Sequence, residues 1–176
     1  VWKDVSVTVP SGYRFESWER TGGSLTIEDA SSTSTRVRVT SGPASIRANF
    51  VKTWTLTTAV QGSGTVSPSA GSHTYDDGEQ VTLSATPGSD AVFSEWTGDQ
   101  SGTQNPVTIT MNGNKEVTAV FLNTYQLILT ASPSGASGAK FTPSSPATVV
   151  HGEWTDVSVT VPSGYRFENW TVTGGS

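Results

Sequence analysis

The strongest constraint on this chain is that it repeats itself. Residues 2–24 are WKDVSVTVPSGYRFESWERTGGS, and residues 154–176 are WTDVSVTVPSGYRFENWTVTGGS. The two segments differ at four positions, and a constant offset of 152 residues relates them without insertion or deletion. Repetition on this scale indicates tandem units, each with a small core of its own and contacts to its neighbours.

A third, more divergent copy lies between these two segments and sets the length of the unit. The sequence of residues 78–96 (GEQVTLSATPGSDAVFSEW) is similar to that of residues 152–170 (GEWTDVSVTVPSGYRFENW). A second landmark agrees with this phase, because Phe50 near the end of one unit is matched 71 residues later by Phe121. Two types of unit therefore alternate along the chain.

This phase divides the chain into three parts. Residues 1–52 form the C-terminal part of one unit, residues 53–123 a complete unit, and residues 124–176 the N-terminal part of another. The same phase predicts a natural chain that continues past residue 176 with sequence like residues 25–27. It also predicts a segment like residues 125–153 before residue 1.

The composition favours short strands joined by tight turns. Ser and Thr make up roughly thirty per cent of the chain, a larger share than in a typical globular protein. Thr suits a pleated strand, whereas Gly, Ser and Pro suit turns, and the chain has 18 Gly and 9 Pro. Six Trp, six Phe and four Tyr supply the apolar surface for small cores.

Charge and cysteine content exclude several classes of function. The net charge is -5, and only ten Lys and Arg are scattered along the chain, so a nucleic-acid partner is not expected. The absence of cysteine excludes disulfides and thiolate metal sites. A membrane-spanning helix needs about twenty apolar residues in a row, and no apolar run in the chain approaches this length. Membrane insertion is therefore not expected.

Hydrophobic periodicity predicts an all-β chain with little or no helix. In residues 81–85 apolar side chains alternate with Thr and Ser, which is typical of a strand with one buried face. We predict tandem small β-sandwich-like units of immunoglobulin-like size, with a β-grasp-like sheet as the alternative. The strands predicted in the complete unit are residues 53–60, 65–67, 81–85, 92–96, 107–111 and 117–121.

An aromatic pair in the pattern Phe-x-x-Trp marks the predicted core of every unit. Residues three apart on a flat strand face opposite sides, so a bulge or a strand end must separate the two rings if both are buried together. The six predicted core residues are Phe15 and Trp18, Phe93 and Trp96, and Phe167 and Trp170.

Residues 62–121 contain a set of landmark residues that are mostly Gly, Pro and aromatic: Gly62-Ser63-Gly64, Gly78, Pro87, Phe93, Trp96-Thr97-Gly98, Asn105-Pro106 and Phe121. With these landmarks the segment resembles the divergent internalin-type B-repeat of long bacterial surface and secreted proteins. The partial units depart from this pattern after Trp18 and Trp170, where Thr-Gly is missing. The resemblance implies spacer and adhesive modules without catalytic residues, because the shared positions are Gly, Pro and aromatic.

Few side chains are candidates for chemistry. Asp76, Asp77 and Glu79 form the densest acidic cluster and are a weak candidate for calcium, because they lack the ordered spacing of a calcium loop. Trp2 and Trp154 occupy a position that is Gln elsewhere, so they are candidates for packing between units or for stacking on a sugar. No catalytic residue, organic cofactor or other metal site is predicted.

The sequence therefore predicts a structural or adhesive repeat segment that acts as a spacer, stalk or filament-building unit. The expected location is the bacterial cell surface or the extracellular space. The expected partners are neighbouring repeats of the same chain or copies of it, with head-to-tail strand complementation between partial end units as one arrangement. A host or glycan ligand is a further candidate partner. The alternative is a carbohydrate-binding module of a secreted multidomain protein.

Overall fold

The computed structural model describes residues 1–133, 136 and 138–173, and in these residues the chain is built from strands without helix. The described residues include no helix that could span a membrane. The strands are β1 (Lys3–Ser6), β2 (Tyr13–Ile27), β3 (Ser34–Gln61), β4 (Gly64–Ser67), β5 (Gly71–Asp76), β6 (Gln80–Pro87), β7 (Ala91–Gly98), β8 (Val107–Thr110), β9 (Lys115–Leu127), β10 (Lys140–Thr142), β11 (Ala147–Val150) and β12 (Ser158–Thr160). The predicted all-β class is confirmed.

The middle unit is a small two-sheet sandwich. One sheet has the order β5-β3-β9-β7, and the other has the order β4-β6-β8. A single apolar cluster lies between them and takes side chains from both sheets. The largest fully buried side chains of the cluster are Trp96, Leu56, Leu83, Met111 and Val117.

Alternation within single strands explains how the two sheets meet. In β6, Val81, Leu83 and Ala85 are buried, whereas Thr82 on the opposite face is exposed and its hydroxyl lies 3.2 Å from that of Thr108. The apolar face of each strand turns to the core and the hydroxylated face turns to water, because successive side chains on a strand point to opposite sides.

The Phe-x-x-Trp spacing is accommodated by a bulge. The pairing of β7 with β9 shifts register between Phe93 and Glu95, and the pairing of β2 with β3 shifts between Phe15 and Ser17. Each extra residue turns the following Trp to the same side as its Phe. Phe93 and Trp96 then lie 5.3 Å apart between ring centroids.

The first and last strands of the middle unit are parallel neighbours at its centre. Leu56 of β3 lies opposite Lys115 of β9, and the pairing continues to Gln61 opposite Val120. β9 thus has one edge on β3 and the other on β7, and it fills the middle of the sheet.

Two strands run without interruption from one unit into the next. β3 pairs with β2 through Lys52 and with β5 from Thr53, and β9 pairs with β7 through Asn123 and with β11 from Thr124. The last strand of one unit is therefore continuous with the first strand of the following unit, and no loop separates them.

The two outer parts of the chain hold complementary pieces of the same fold. Residues 1–52 contain β1, β2 and the first part of β3, which match β6 to β9 of the middle unit. Residues 124–173 contain the end of β9 and β10 to β12, which match β3 to β6.

The expected core pair Phe167 and Trp170 differs from its counterparts. These rings keep 49% and 46% of their surface exposed, and residues 165–170 form no strand. The difference lies in strand pairing: β2 has nearly the same local sequence and pairs with residues 45–52 of β3, whereas no strand among the described residues pairs with residues 165–170.

Candidate functional site: the junctions between units

The two junctions of the chain are held by the same backbone hydrogen bonds. At the first junction the Thr53 N–H donates to the Gly12 carbonyl at 2.8 Å, and the Asp77 N–H donates to the Lys52 carbonyl at 2.9 Å. The second junction repeats both bonds at matching positions, from Thr124 N–H to Asp90 C=O at 2.8 Å and from His151 N–H to Asn123 C=O at 2.8 Å. Each unit is thereby fastened to the next on both sides of the continuous strand.

An ion pair spans the first junction. Arg14 on β2 donates from Nε to Asp76 Oδ1 at 2.7 Å and from Nη2 to Asp76 Oδ2 at 2.5 Å, a two-point contact between neighbouring units. The hydrogen bonds and the charge of Arg14 lower the pKa of the Asp76 carboxyl below its usual range. Both side chains are partly exposed, so the contribution of the pair to stability is modest.

An aromatic side chain marks the same place in both junctions. Trp54 donates from Nε1 to Asp77 Oδ1 at 2.6 Å, and Lys52 Nζ lies 4.0 Å from the centre of the Trp54 ring. At the second junction Tyr125 takes the matching position, with its ring 5.9 Å from that of His151. The two junctions therefore share the same backbone hydrogen bonds but differ in the side chains that surround them.

The predicted core residues differ in how fully they are enclosed. Trp96 is fully buried and its Nε1 donates to the Gln104 carbonyl at 3.0 Å. Trp18 is half-buried, with the equivalent bond to the Ser32 carbonyl at 2.9 Å. Phe15 and Phe93 are half-buried, and each packs edge-on against the Phe that closes its unit, at centroid distances of 6.0 and 5.9 Å.

A comparison with known protein families now places the chain. The family described as the divergent InlB B-repeat domain matches three times, at residues 3–53, 54–124 and 128–176. The chain belongs to this family. Such repeats are typically structural, and they are associated with bacterial surface proteins. No curated protein and no solved structure matches the chain.

The acidic cluster of the middle B-repeat is engaged in three separate contacts. Asp76 pairs with Arg14 and Asp77 accepts from Trp54, while a carboxylate oxygen of Glu79 accepts from the Asp76 N–H at 3.0 Å. Among the described residues, no group of three or more His, Cys, Asp or Glu is arranged to hold a metal ion. The weak expectation of calcium binding stays a prediction. Asp76 joins the middle B-repeat to the preceding one, whereas the contacts of Asp77 and Glu79 lie within the middle B-repeat.

The two candidate Trp residues lie in different surroundings. Trp2 is half-buried in its own B-repeat, where Arg36 and Arg38 lie 5.7 and 5.3 Å from the centre of its ring. Trp154 is 100% exposed. Whether either ring contacts a further unit or a sugar stays a prediction.

The Arg14–Asp76 ion pair and the contacts of Trp54 and Tyr125 at the junctions were not predicted from the sequence. Arg14 and Asp76 are 62 residues apart, and nothing in either local sequence indicates the other. One signal was available for Trp54: it stands one residue after the unit boundary, as Tyr125 does in the next unit. A large aromatic repeated at a boundary is a reason to expect a contact between units.

Removal of Arg14 is expected to restore an ordinary titration of Asp76. In the native chain the lowered pKa keeps the carboxylate charged, so its stabilising contribution is complete above the unfolded pKa of about 3.9 and disappears as the pH falls through the lower, folded value. In Arg14→Gln the carboxyl carbon resonance of Asp76 should titrate at a higher pH. Arg36→Gln is the matched control, since it removes the similar pair with Glu28 inside one unit. The titration midpoint of Asp76 should shift in Arg14→Gln only. An equal shift in both variants, or no shift in either, would contradict the pairing of Arg14 with Asp76.

Proposed function

We propose that the chain is a stiff, non-enzymatic spacer segment of a bacterial cell-surface or secreted protein, which holds other parts of that protein at a distance. The observation that supports this role best is the continuity of β3 and β9 through the two junctions. A spacer that must keep its length needs joints that do not bend.

The chemistry of the joints favours stiffness. Flexible linkers are rich in Gly and Ser and behave as random coils. Here the residues at the boundaries are Val51, Lys52 and Thr53 at one joint and Leu122, Asn123 and Thr124 at the other, all within strands. Bending at either place would break ladder hydrogen bonds and the contacts on both sides of the strand.

The surface of the units suits a chain that is exposed to water along its whole length. The net charge is -5, and exposed strand faces carry hydroxyl groups such as those of Thr82 and Thr108. A surface that is polar and carries like charge resists non-specific association. An adhesive role would add a ligand to this scaffold, and it forms part of the proposal only as a secondary possibility.

Distance measurements between two units test the stiffness. The chain has no cysteine, so spin labels at Thr26→Cys and Thr86→Cys, both exposed strand positions in neighbouring units, would be the only labels present. Electron–electron double resonance should give one narrow distance distribution. Insertion of Gly-Gly-Ser between Lys52 and Thr53 provides the matched flexible control, and its distribution should be broad. A native chain with a distribution as broad as the control would refute the spacer proposal.

The alternative function, a carbohydrate-binding module, has one supporting observation, the full exposure of Trp154. A glycan array tests it directly. Binding by the native chain that disappears in Trp154→Ala but persists in Trp54→Ala would favour sugar recognition. Absence of binding across many glycans would leave the structural role as the better explanation.

A further inference from the structure

Tension along this chain enters and leaves the middle unit through two particular strands. β3 receives it from the preceding unit at Lys52 and Thr53, and β9 passes it to the following unit at Asn123 and Thr124. Both strands continue through these junctions without a break, so a pulling force is delivered along the strands themselves. The mechanical strength of the unit therefore depends first on how β3 and β9 are joined to each other.

β3 and β9 are direct neighbours, and they run in the same direction. Six consecutive residue pairs form the ladder between them, from Leu56 opposite Lys115 to Gln61 opposite Val120. Tension along the chain pulls β3 toward its own start and β9 toward its own end. Because the strands are parallel, these two loaded ends lie at opposite ends of the ladder. The strands must therefore slide past each other before they can separate.

Two paired strands resist sliding much more strongly than they resist peeling. When they are pulled apart at one end, their hydrogen bonds break one after another, and the force meets a single bond at a time. When they are pulled along their length, the evenly spaced bonds of a parallel ladder share the load and have to break together. An antiparallel contact between the first and last strands would place both loaded ends on the same side, and it would open by peeling.

The ladder between β3 and β9 is enclosed by the rest of the middle unit. β5 pairs with the other edge of β3, and β7 pairs with the other edge of β9. On the inner face, Leu56 and Thr58 of β3 and Val117 and Ala119 of β9 are buried. Sliding the two strands would pull these side chains out of the core while the backbone bonds break, so burial of apolar surface adds to the resistance.

Two further contacts extend the ladder at its ends. Asn114, just before β9, accepts a hydrogen bond on its side-chain oxygen from the Thr55 N–H at 2.9 Å, which adds a link in the same register. At the other end Gly62, just after β3, lies directly against the Phe121 carbonyl. The contact between the two loaded strands therefore runs over the whole length of the unit.

We propose that the middle unit is a load-bearing module, in which the parallel ladder of β3 and β9 is a clamp against tension along the chain. The residues that carry the load are 55–61 of β3 and 114–120 of β9. This inference goes beyond the spacer role, because a spacer can hold a distance without bearing tension. It does not depend on that role, since the ladder resists pulling whatever the two ends of the chain are attached to.

Single-molecule force spectroscopy tests the clamp by changing only the direction of the force. The chain has no cysteine, so DNA handles can be attached at pairs of introduced cysteines. Handles at the exposed positions Lys52→Cys and Asn123→Cys reproduce tension along the chain, and unfolding between them should release about 230–260 Å at full extension. Handles at Lys52→Cys and the exposed Asn112→Cys, just before β9, pull the starts of β3 and β9 apart and peel the ladder. At one loading rate, the first pair should unfold at a force several times that of the second.

Denaturant titration of the two variants is the control for stability. Their midpoints should agree although their unfolding forces differ, because forced unfolding depends on the barrier along the pulling direction. Glu116→Cys, an exposed position at the same end of β9, replaces Asn112→Cys as the second handle if that change lowers the midpoint. Equal unfolding forces in the two directions, or a lower force along the chain, would refute the clamp. Equal forces together with a narrow distance distribution between units would overturn the load-bearing role and leave the stiff spacer standing.

Discussion

Trp96→Ala is expected to lower the free energy of unfolding of the middle unit by about 3–5 kcal/mol, the usual cost of deleting a large buried aromatic ring. Trp96 is 0% exposed, its Nε1 donates to the Gln104 carbonyl, and its ring packs against Phe93. Domains of this size have a total stability of about 5–15 kcal/mol. The middle unit should therefore lose a large fraction of its stability, which denaturant titration followed by the remaining Trp fluorescence will measure.

The chain provides its own control for this substitution. Trp170 occupies the same position in the C-terminal unit but keeps 46% of its surface exposed. Trp170→Ala removes the same ring from a site that does not enclose it, so its effect on unfolding should be much smaller. Equal losses in the two variants would show that enclosure by β9 does not decide the contribution of the ring.

Gly62→Ala is expected to destabilise the middle unit by about 2–5 kcal/mol. Gly62 has φ of 93°, in the left-handed region, and a Cβ added there would lie 2.3 Å from the Phe121 carbonyl oxygen. The backbone strain costs roughly 1–2 kcal/mol and the steric overlap about 1–3 kcal/mol more. The neighbouring backbone belongs to a core strand and cannot move away cheaply, so thermal and denaturant unfolding should both register the loss.

Gly113→Ala is the matched substitution in the same unit. A Cβ at Gly113 meets nothing within 4 Å, and its backbone lies outside the left-handed region. This change should be neutral or should stabilise the unit by about 0.4–1 kcal/mol, because it restricts the unfolded chain. A Gly62 variant that is as stable as the Gly113 variant would contradict the close approach of residue 62 to Phe121.

Gly62 and Trp96 are also landmarks of the family resemblance, and the structure shows the physical reason for each of them. Gly62 is required where the chain turns against the carbonyl of Phe121, and Trp96 fills the core that Phe121 closes. Asn105, another landmark, donates to the Ala85 carbonyl at 2.7 Å and accepts from the Ala85 N–H at 2.9 Å. Its side chain thus replaces a strand partner at the edge of β6.

Much of this fold follows from local sequence. The exact-offset repeat established a modular chain, and the alternation in residues 81–85 established a strand with one buried face. The Phe-x-x-Trp spacing required a bulge, and register shifts lie between Phe93 and Glu95 and between Phe15 and Ser17. These features depend on the periodicity of a single strand, which the sequence of that strand contains in full.

Pairing between distant strands was decided only by the tertiary structure. The parallel contact of β3 with β9 joins residues about sixty positions apart, and the ion pair of Arg14 with Asp76 spans 62 positions. The segments YRFESW at residues 13–18 and YRFENW at residues 165–170 make the reason plain, because the first is a strand and the second is not. A strand exists by virtue of hydrogen bonds to a partner, and the partner of the first segment is residues 44–52. The sequence by itself determined which segments are able to form strands, and only the tertiary structure decided which of them have a strand to pair with.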